Sequence, residues 1–455
     1  MLTLVIALAL GQHLDQTSLG RQNPPFSEVV RPLRSERVLR AGGRSGPSLA
    51  FFEAFPASGA GTSGVCSTTA PTGARGEALT FSRGSTATCT KTASGGLATT
   101  GIANGDLVVL ASNQPRVEYA ANGTLGLLVE SSRTNNVIQS QAIDNASWTK
   151  TGTVIAAPTV TADFAVAPDG TTTADRIQTP ACPTAGDEST VSIGYVQTIA
   201  TWDHTIYVRG TSGAGSTTLA VFNSGGGSAR VTCNYVAGSW SRCELTFAHP
   251  SVSASLLYVG CTRNAAIGGN VDTGAADFLL WGVQAELGAY ATSYIPTTTV
   301  AVTRSAEAAN FAAGTTLPQV TYSKAVSMYV PWATATQPTL PTLLMTELAG
   351  PPRGSDLFIA SGGVRIQNGD GTAFTNITTS SVTFTALGSK RIAASSAAGT
   401  ANVYVDGALF GASPYALNAA AAPGAVLYLD AQFGTSLLDG ILSRICWDAS
   451  PTRCR

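Results

Sequence analysis

The chain has 455 residues, enough for two to four domains with a sizeable core. Its 26 Lys and Arg against 27 Asp and Glu give a formal net charge of −1, which leaves no electrostatic footprint for nucleic acid or an anionic membrane. Only 12% of residues are charged while 44% are apolar, which argues against broad disorder; short Val-, Ile-, Leu-, Tyr- and Thr-bearing runs between Gly, Pro, Asn and Asp turns read as an all-β chain.

In chain order, Met1 to Gly11 is an apolar run that reads as the core of a secretion signal, although no Lys or Arg precedes it. It is too short to span a membrane, and no later segment is long and apolar enough, so no membrane span is expected in the mature chain. Residues 12–48 gather Arg21, Arg31, Arg34, Arg37, Arg40 and Arg44 around prolines and read as a basic, non-globular leader. Residues 49–135 form a small β region with strands near 79–81, 107–110, 117–119 and 125–129 and a hairpin turn at Asn122-Gly123. Residues 136–296 carry nine expected strands, at 154–155, 174–177, 191–199, 205–209, 218–222, 229–235, 240–247, 256–261 and 278–286, the pattern of a jelly-roll sandwich. A Thr- and Ala-rich linker over 297–318 leads to a second sandwich over 319–455, with an Asp406-Gly407 hairpin. The fold class expected is therefore tandem β-sandwiches behind a non-globular leader.

The eight cysteines include no CxxC, which argues against zinc ribbons and thioredoxin-type redox sites. An Ala-Gly-Ser loop centred on Gly238 sets Cys233 opposite Cys243, within disulfide reach on facing strands. Locality pairs Cys66 with Cys89 and Cys446 with Cys454, which leaves Cys182 with Cys261. Disulfides imply an oxidising compartment.

Several passages go beyond pattern. Thr80-Phe-Ser-Arg-Gly-Ser-Thr-Ala-Thr88, Asn113-Gln-Pro-Arg-Val-Glu-Tyr119, Leu125-Gly-Leu-Leu-Val-Glu-Ser-Ser-Arg-Thr-Asn135, Trp148-Thr-Lys and Ala167-Pro-Asp-Gly-Thr-Thr-Thr-Ala-Asp175 occur in an order that resembles a recurring module of phage tail-fibre and phage-like structural proteins. Trp281-Gly-Val-Gln-Ala-Glu-Leu-Gly, Thr292-Ser-Tyr-Ile-Pro-Thr and Val302-Thr-Arg304 resemble its closing passage. Gly238-Ser-Trp-Ser-Arg-Cys-Glu-Leu-Thr-Phe247 is similar to a strand of jelly-roll carbohydrate-binding modules. Lys390-Arg-Ile-Ala-Ala-Ser, Val403-Tyr-Val-Asp-Gly-Ala-Leu-Phe410 and Leu438-Asp-Gly-Ile-Leu-Ser-Arg-Ile-Cys-Trp447 resemble a laminin-G/concanavalin-like sandwich. The resemblance implies a carbohydrate- or receptor-binding role; cysteines and a leader-like start are unusual for a virion protein and point to a secreted bacterial relative.

Catalytic signals are thin. Asp163, Asp169, Asp175, Asp272, Asp277 and Glu286 are acids without a spacing that fixes a glycosidase pair. Asp169-Gly170 reads as a turn, and Glu286 as part of the closing passage. His13, His204 and His249 are the only histidines, with no nucleophile elbow or His-x-x-x-His. Ser224-Gly-Gly-Gly-Ser228 reads as a hairpin loop, since it lacks the Gly-Lys-Ser/Thr ending of a phosphate loop.

Asn368-Gly-Asp-Gly-Thr372 opens like a cation loop, but Thr379 stands where an EF-hand needs Glu; Asp356, Asp370 and Asp406 remain as candidate Ca2+ ligands. Sugar recognition needs an exposed aromatic face. Trp240, Trp281 and Trp447 read as core and Trp148 as a structural part of the module passage, whereas Trp332, beside Pro331, and Trp202, with Asp203 and His204, are the candidate ligand-binding residues.

The expectation is a non-catalytic adhesin for a cell-surface glycan or receptor, secreted or on a virion surface. The alternatives are a fibre or appendage subunit and a polysaccharide-degrading tailspike. Fibre proteins are commonly trimers, but no heptads argue for one here.

Overall fold

The computed structural model describes residues 51–52, 65–67, 79–91, 100–120, 123, 125–267, 274–312, 322–330, 342–344, 353–360, 363–370, 374–378, 388–397, 400–414, 426–429 and 439–448. The chain divides into two units, Met1–Gly46 and Pro47–Arg455, and every described residue belongs to the second. The signal-like start and basic leader lie outside the described residues. Those described hold 29 strands and one 3-10 turn, Ala265–Ile267, so the chain is all-β.

The centre is a sandwich of two five-stranded antiparallel sheets. The first runs in the order Ser241–Ala248, Thr201–Gly210, Ala276–Leu287, Ala174–Thr179, Thr159–Ala165; the second runs Ser228–Tyr235, Gly215–Asn223, Ser255–Thr262, Glu188–Tyr195, Thr149–Thr153. Period-two alternation points one side of each strand into a shared core that includes Ile177, Val191, Ile193, Ile206, Leu219, Val221, Leu257, Val259, Phe278 and Leu280. Trp148 closes it, its indole N–H donating to Gln139 O at 3.1 Å.

Ten strands stand where nine were expected. The residues at 154–155 are not a strand: Val154 is exposed with φ 67° and turns the chain between two edge strands. Both edge strands, Thr149–Thr153 and Thr159–Ala165, are mostly exposed and poor in aliphatics, so they carry little hydrophobic pattern.

One glycine explains the Trp-Gly of the closing passage. Along Ala276–Leu287, Phe278 and Leu280 enter the core, and after Gly282 the phase changes, so Val283 and Ala285 enter it instead. Gly282 has φ 64°, and pairing with the neighbouring strand shifts register between Thr205 and Tyr207. A side chain there would meet the Tyr207 ring at 2.8 Å, so the bulge requires glycine. The bulge aims Trp281 outward into a second cluster with Tyr207, Trp240, Leu279, Tyr294, Ile102 and Leu107. The outer side of the first sheet is therefore covered by other parts of the chain.

The structure joins Cys66 to Cys89, Cys182 to Cys261 and Cys233 to Cys243. Cys233 and Cys243 are not facing residues of one sheet, as the hairpin reading expected. The turn at Gly238 carries the chain from the second sheet to the first, and the bond, with Cα atoms 5.6 Å apart, fastens two sandwich edges together. Cys454 lies outside the described residues.

Residues 49–135 do not stand as a β region of their own. Phe51–Phe52 and Leu125–Val129 pair with Gly440–Asp448, in a sheet that also holds Arg116–Tyr119, Tyr322–Val330, Gly388–Ala397, Thr400–Val405 and Ala408–Pro414. Leu79–Ser82 pairs with Ala308–Ala312, which pairs with Val426–Leu429. The segment expected as a linker is thus partly strand: Val302–Arg304 pairs with Arg133–Asn135. A four-stranded sheet of Thr342–Leu344, Arg353–Ala360, Gly363–Asp370 and Phe374–Thr378 accompanies this second sandwich.

These segments converge on a buried ionic cluster. Glu307 accepts from Arg83 Nη1 at 2.8 Å and Arg116 Nε at 2.7 Å. Arg116 Nη2 lies 2.7 Å from oxygens of both Glu307 and Glu130, and Arg304 Nη1 lies 2.5 Å from Glu130. All five side chains are at most 2% exposed. Ser293 donates from its N–H and hydroxyl to the two Glu130 oxygens, while its Oγ accepts from Arg116 and Arg304. Burial alone would raise the Glu130 carboxyl, but Arg304 and Arg116 outweigh it and hold the group down at about 2. Nearby Glu118 goes the other way: burial pushes it up to about 8 despite Arg116. Asp439, before the strand Gly440–Asp448, accepts from Ser131 N–H, from Ser131 Oγ at 2.8 Å and from Tyr290 Oη at 2.5 Å.

Removing one member of such a cluster leaves its partners buried and unpaired. Arg116→Met is expected to lower stability by about 3–5 kcal/mol in urea unfolding. Lys390→Met, which removes the more exposed pair to Asp406, should cost less than about 1 kcal/mol. Equal losses would contradict the cluster's role.

Candidate functional site

Trp202, Asp203 and His204 stand on the strand Thr201–Gly210 and are 4%, 1% and 0% exposed. None offers a face to solvent, which corrects their reading as a ligand platform. Trp202 is held in the core, its indole N–H donating to Thr198 O at 3.2 Å. Trp332 lies outside the described residues. Trp240 and Trp281 are fully buried, as expected of core residues, and so is Trp148.

His204 belongs to a buried relay. Its Nδ1 lies 3.0 Å from Leu245 O, a carbonyl that can only accept, so Nδ1 carries the proton and Nε2 accepts from Tyr195 Oη at 2.6 Å. Tyr195 Oη in turn lies 3.0 Å from His249 Nε2, which donates to it. His249 Nδ1 then accepts from Asn223 Nδ2 at 3.3 Å and Ser255 Oγ at 3.2 Å. Burial lowers His204 to about 3 and His249 to about 4, so both are neutral. The relay fastens three strand ends and the loop at Pro250 to one another.

The acids are similarly structural. Asp175 accepts backbone N–H groups of Ile143, Asp144 and Asp163. Asp169 closes its own turn through Thr171 N–H and hydroxyl. Asp277 pairs with Arg176, and Glu286 holds Thr292 through N–H and hydroxyl. Asp272 lies outside the described residues. Burial raises the carboxyl of Asp175 to about 6, and burial together with the nearby, exposed Glu244 raises that of Asp203 well above the usual range. The Asp203–Glu244 pair of neighbouring carboxyl groups is the nearest approach to an acid–base couple among the described acids.

No group of three His, Cys, Asp or Glu is placed to hold a metal among the described residues. Asp406 sits at a hairpin turn with φ 50°, pairs with Lys390 at 2.9 Å and accepts Arg391 N–H at 2.8 Å. Asp356 and Asp370 stand on adjacent strands of another sheet, opposite Gln367 and Arg353. The structure does not bring the three together, because Asp406 belongs to a different hairpin.

On the outer side of the second sheet the central residues Thr190, Ser192, Thr218, Ala220 and Gly260 are buried, while Tyr258, Arg230 and edge positions such as Thr149 and Asn234 are partly or fully exposed. The sheet's register sets side chains in rows. One row is Arg230, Ala220, Tyr258, Ser192 and Thr149; the next is Thr232, Thr218, Gly260, Thr190 and Thr151; beyond it stand Asn234, Ser216, Thr262, Glu188 and Thr153. Tyr258, half-buried on the central strand, is the aromatic of this grid. At Gly260 a Cβ would lie 2.4 Å from Ser189 O, so the close strand approach requires glycine. Glu188 accepts from Thr190 Oγ1 at 3.0 Å and from Asn264 Nδ2 at 3.4 Å. Burial, with the nearby Glu188 charge, raises the Tyr258 hydroxyl, so it stays protonated at neutral pH. A partly exposed aromatic ring in one row with a partly exposed guanidinium can stack on a sugar's C–H face and exchange hydrogen bonds with its hydroxyls.

The sequence held a signal for this face. In Ser255-Leu-Leu-Tyr-Val-Gly-Cys-Thr262, Leu257 and Val259 fix the inward phase, which leaves Tyr258 pointing out. Searching for tryptophan in loops passed it over.

No protein-family model and no curated protein matches the chain. Among solved structures it is similar to the enzymatically active domain of Bacteriophage CBA120 tailspike protein 4, at 14% identity over 34% of this chain and 21% of that one, TM-score 0.24. It is similar to the N-terminal CBM22-1-CBM22-2 tandem domain of Paenibacillus barcinonensis Xyn10C, at 11% identity over 71% and 98%, TM-score 0.24. It is also similar to domains LG4-5 of the mouse laminin alpha1 chain, at 11% identity over 65% and 91%, TM-score 0.20. The chain spans 38%, 37% and 21% of the lengths of the first three solved structures it matches. At these scores the fold rests on the strand pairings themselves.

The relay predicts a pH dependence. Both histidines have folded values below the unfolded value of about 6.5. Their contribution to stability is full above that value and is lost as pH falls towards 4, because only the unfolded chain binds the protons. The double variant His204→Gln/His249→Gln should therefore lose less stability than the native chain between pH 6.5 and 4. The slopes should differ by up to about 1.4 kcal/mol per pH unit per histidine. Parallel unfolding curves across that range would exclude it.

Proposed function

We propose that this protein binds carbohydrate on a cell surface through the outer face of the second sheet, without chemistry of its own. The observation that supports this reading is the partly exposed Tyr258 ring on the central strand, in one row with partly exposed Arg230 at one side and exposed Thr149 at the other. The strands fix the position of each group, so little ordering is needed on binding. Three disulfides fit an oxidising compartment, and hence a site of action on a bacterial or virion surface. Among the described residues no helix is long and apolar enough to cross a membrane.

A second reading, a polysaccharide-degrading tailspike, has one observation in its favour: the Asp203–Glu244 carboxyl pair. A third, a fibre spacer, predicts no ligand and a stable oligomer, for which a trimer is the natural expectation.

A glycan array probed with the full chain separates the three. Retention on particular glycans, weakened at least about tenfold in Tyr258→Ala and with glycan length unchanged, is the expected result. Shortening of the glycans that Glu244→Gln abolishes would overturn the proposal in favour of the hydrolase. No retention, with a stable oligomer in size-exclusion chromatography, would overturn it in favour of the spacer.

A further inference from the structure

The face that carries Tyr258 changes character along its length. At one end stand Glu188, Thr262 and Asn264. One row past Tyr258 the outward residues are Phe222 and Leu256, directly opposite each other, with Gly194 beside them. Beyond that row the strands end in three loops, and these display Val196, Ile199 and Val252 at 80%, 64% and 72% exposure. Scattered apolar residues on a surface need no explanation, but these are not scattered. Gln197 Nε2 donates to Ser251 O at 2.7 Å and Ser253 O at 2.9 Å, which sets the loop bearing Val196 and Ile199 against the loop bearing Val252. Asn223 Nδ2 donates to Ser251 O at 3.1 Å, and Ser251 Oγ donates back to Asn223 Oδ1 at 2.8 Å. The buried Tyr195–His249 contact lies directly beneath. The aliphatic side chains are therefore held out by a hydrogen-bonded base.

The tip carries no formal charge. From Ser189 to Trp202, from Gly215 to Ala229 and from Leu245 to Thr262 there is no Asp, Glu, Lys or Arg. A charged group would oppose entry into a lipid interface, and a basic one would select anionic headgroups. A base whose polar groups bond to one another, under protruding aliphatics and without charge, suits the boundary of a bilayer of uncharged headgroups.

We propose that the ligand is a membrane-anchored glycolipid whose membrane-proximal sugars are uncharged. The tip dips its aliphatic side chains into the lipid interface, and the sugars lie along the exposed Gly194 and partly exposed Leu256 and Phe222 towards Tyr258. This rests on the carbohydrate-binding reading and adds the membrane to it. A protein partner for the tip would more naturally meet charged or hydrogen-bonding groups at its rim, which the three loops do not offer.

The test uses the full chain and phosphatidylcholine vesicles with and without neutral glycosphingolipids, together with the oligosaccharides released from those lipids. Expected is binding to the glycolipid vesicles at least about tenfold tighter than to the free oligosaccharides, since both contacts then act together. The triple variant Val196→Ser/Ile199→Ser/Val252→Ser should lose that advantage while binding free oligosaccharide unchanged. A Trp placed by Val196→Trp should shift its emission to the blue on the glycolipid vesicles, a readout independent of affinity. Equal affinity for vesicle-borne and free glycan, with Tyr258→Ala still impaired, would overturn the glycolipid inference and leave the carbohydrate reading standing. Equal binding to bare vesicles would overturn it in favour of a general lipid anchor. Binding to neither vesicles nor oligosaccharides would overturn both.

Discussion

The buried cluster of Arg83, Arg116, Arg304, Glu130 and Glu307 is the constraint on which the rest of the structure depends. A buried ion pair is weak evidence of stability, because desolvation cancels much of the attraction. It is strong evidence of position, because an incomplete cluster leaves a charge without a partner. Its members come from segments far apart in the chain, and Glu130 is satisfied only when Arg116, Arg304 and Ser293 arrive together. Glu118, protonated near neutral pH, limits how much negative charge the cluster must balance. The cluster therefore fixes where the connector after Ala276–Leu287 must run. That connector brings Tyr294 onto the outer side of the first sheet, with Ile295 N–H bonded to Gln284 at 2.7 Å.

This also explains why the passages that carried the family resemblance could be recognised and yet not interpreted. Arg83, Arg116, Glu130, Glu286, Ser293 and Arg304 all fall within those passages, and in the fold they are partners or near neighbours. Their meaning lies in contacts across up to 224 positions of sequence, which no local pattern expresses. Local rules did well where local physics decides. Alternation found the inner strands of the sandwich, and turn chemistry found Asp406-Gly407. They failed at the Thr-rich edge strands, where one side is solvated and the apolar pattern fades. They failed too at Gly238, where a tight turn was read as a hairpin within one sheet although the chain changes sheets there.

The candidate site was misplaced for a related reason. Trp, His and Asp are the residues that draw attention in a binding protein, and Trp202-Asp-His204 offers all three in a row. Adjacent residues of a strand point to opposite sides, so such a triplet cannot present one face to one ligand. Here Trp202 enters the core, and His204 reaches Tyr195 at the sandwich end. Asp203, buried on the other side, accepts from Thr246 at 3.1 Å. The signal for the proposed site lies instead in residues two apart, where a strand's alternation separates Leu257 and Val259 from Tyr258.

What makes that face suited to recognition is how its central strand is held. Ser255–Thr262 is paired along both edges, with Glu188–Tyr195 on one side and Gly215–Asn223 on the other. Near one end Cys261 is bonded to Cys182; at the other Ser255 lies in contact with Asn223 and His249. Tyr258 sits between these two anchorages, and Gly260 admits the neighbouring strand closely. A ring held in this way loses little freedom when a ligand stacks on it, so more of the contact energy appears as affinity. The same anchorage extends into the tip, where Asn223 and Gln197 tie the loops that carry Val196, Ile199 and Val252. The Tyr258 strand and the apolar tip are thus joined by the same hydrogen bonds, so a ligand that engaged both would have to bridge the spacing that these bonds set.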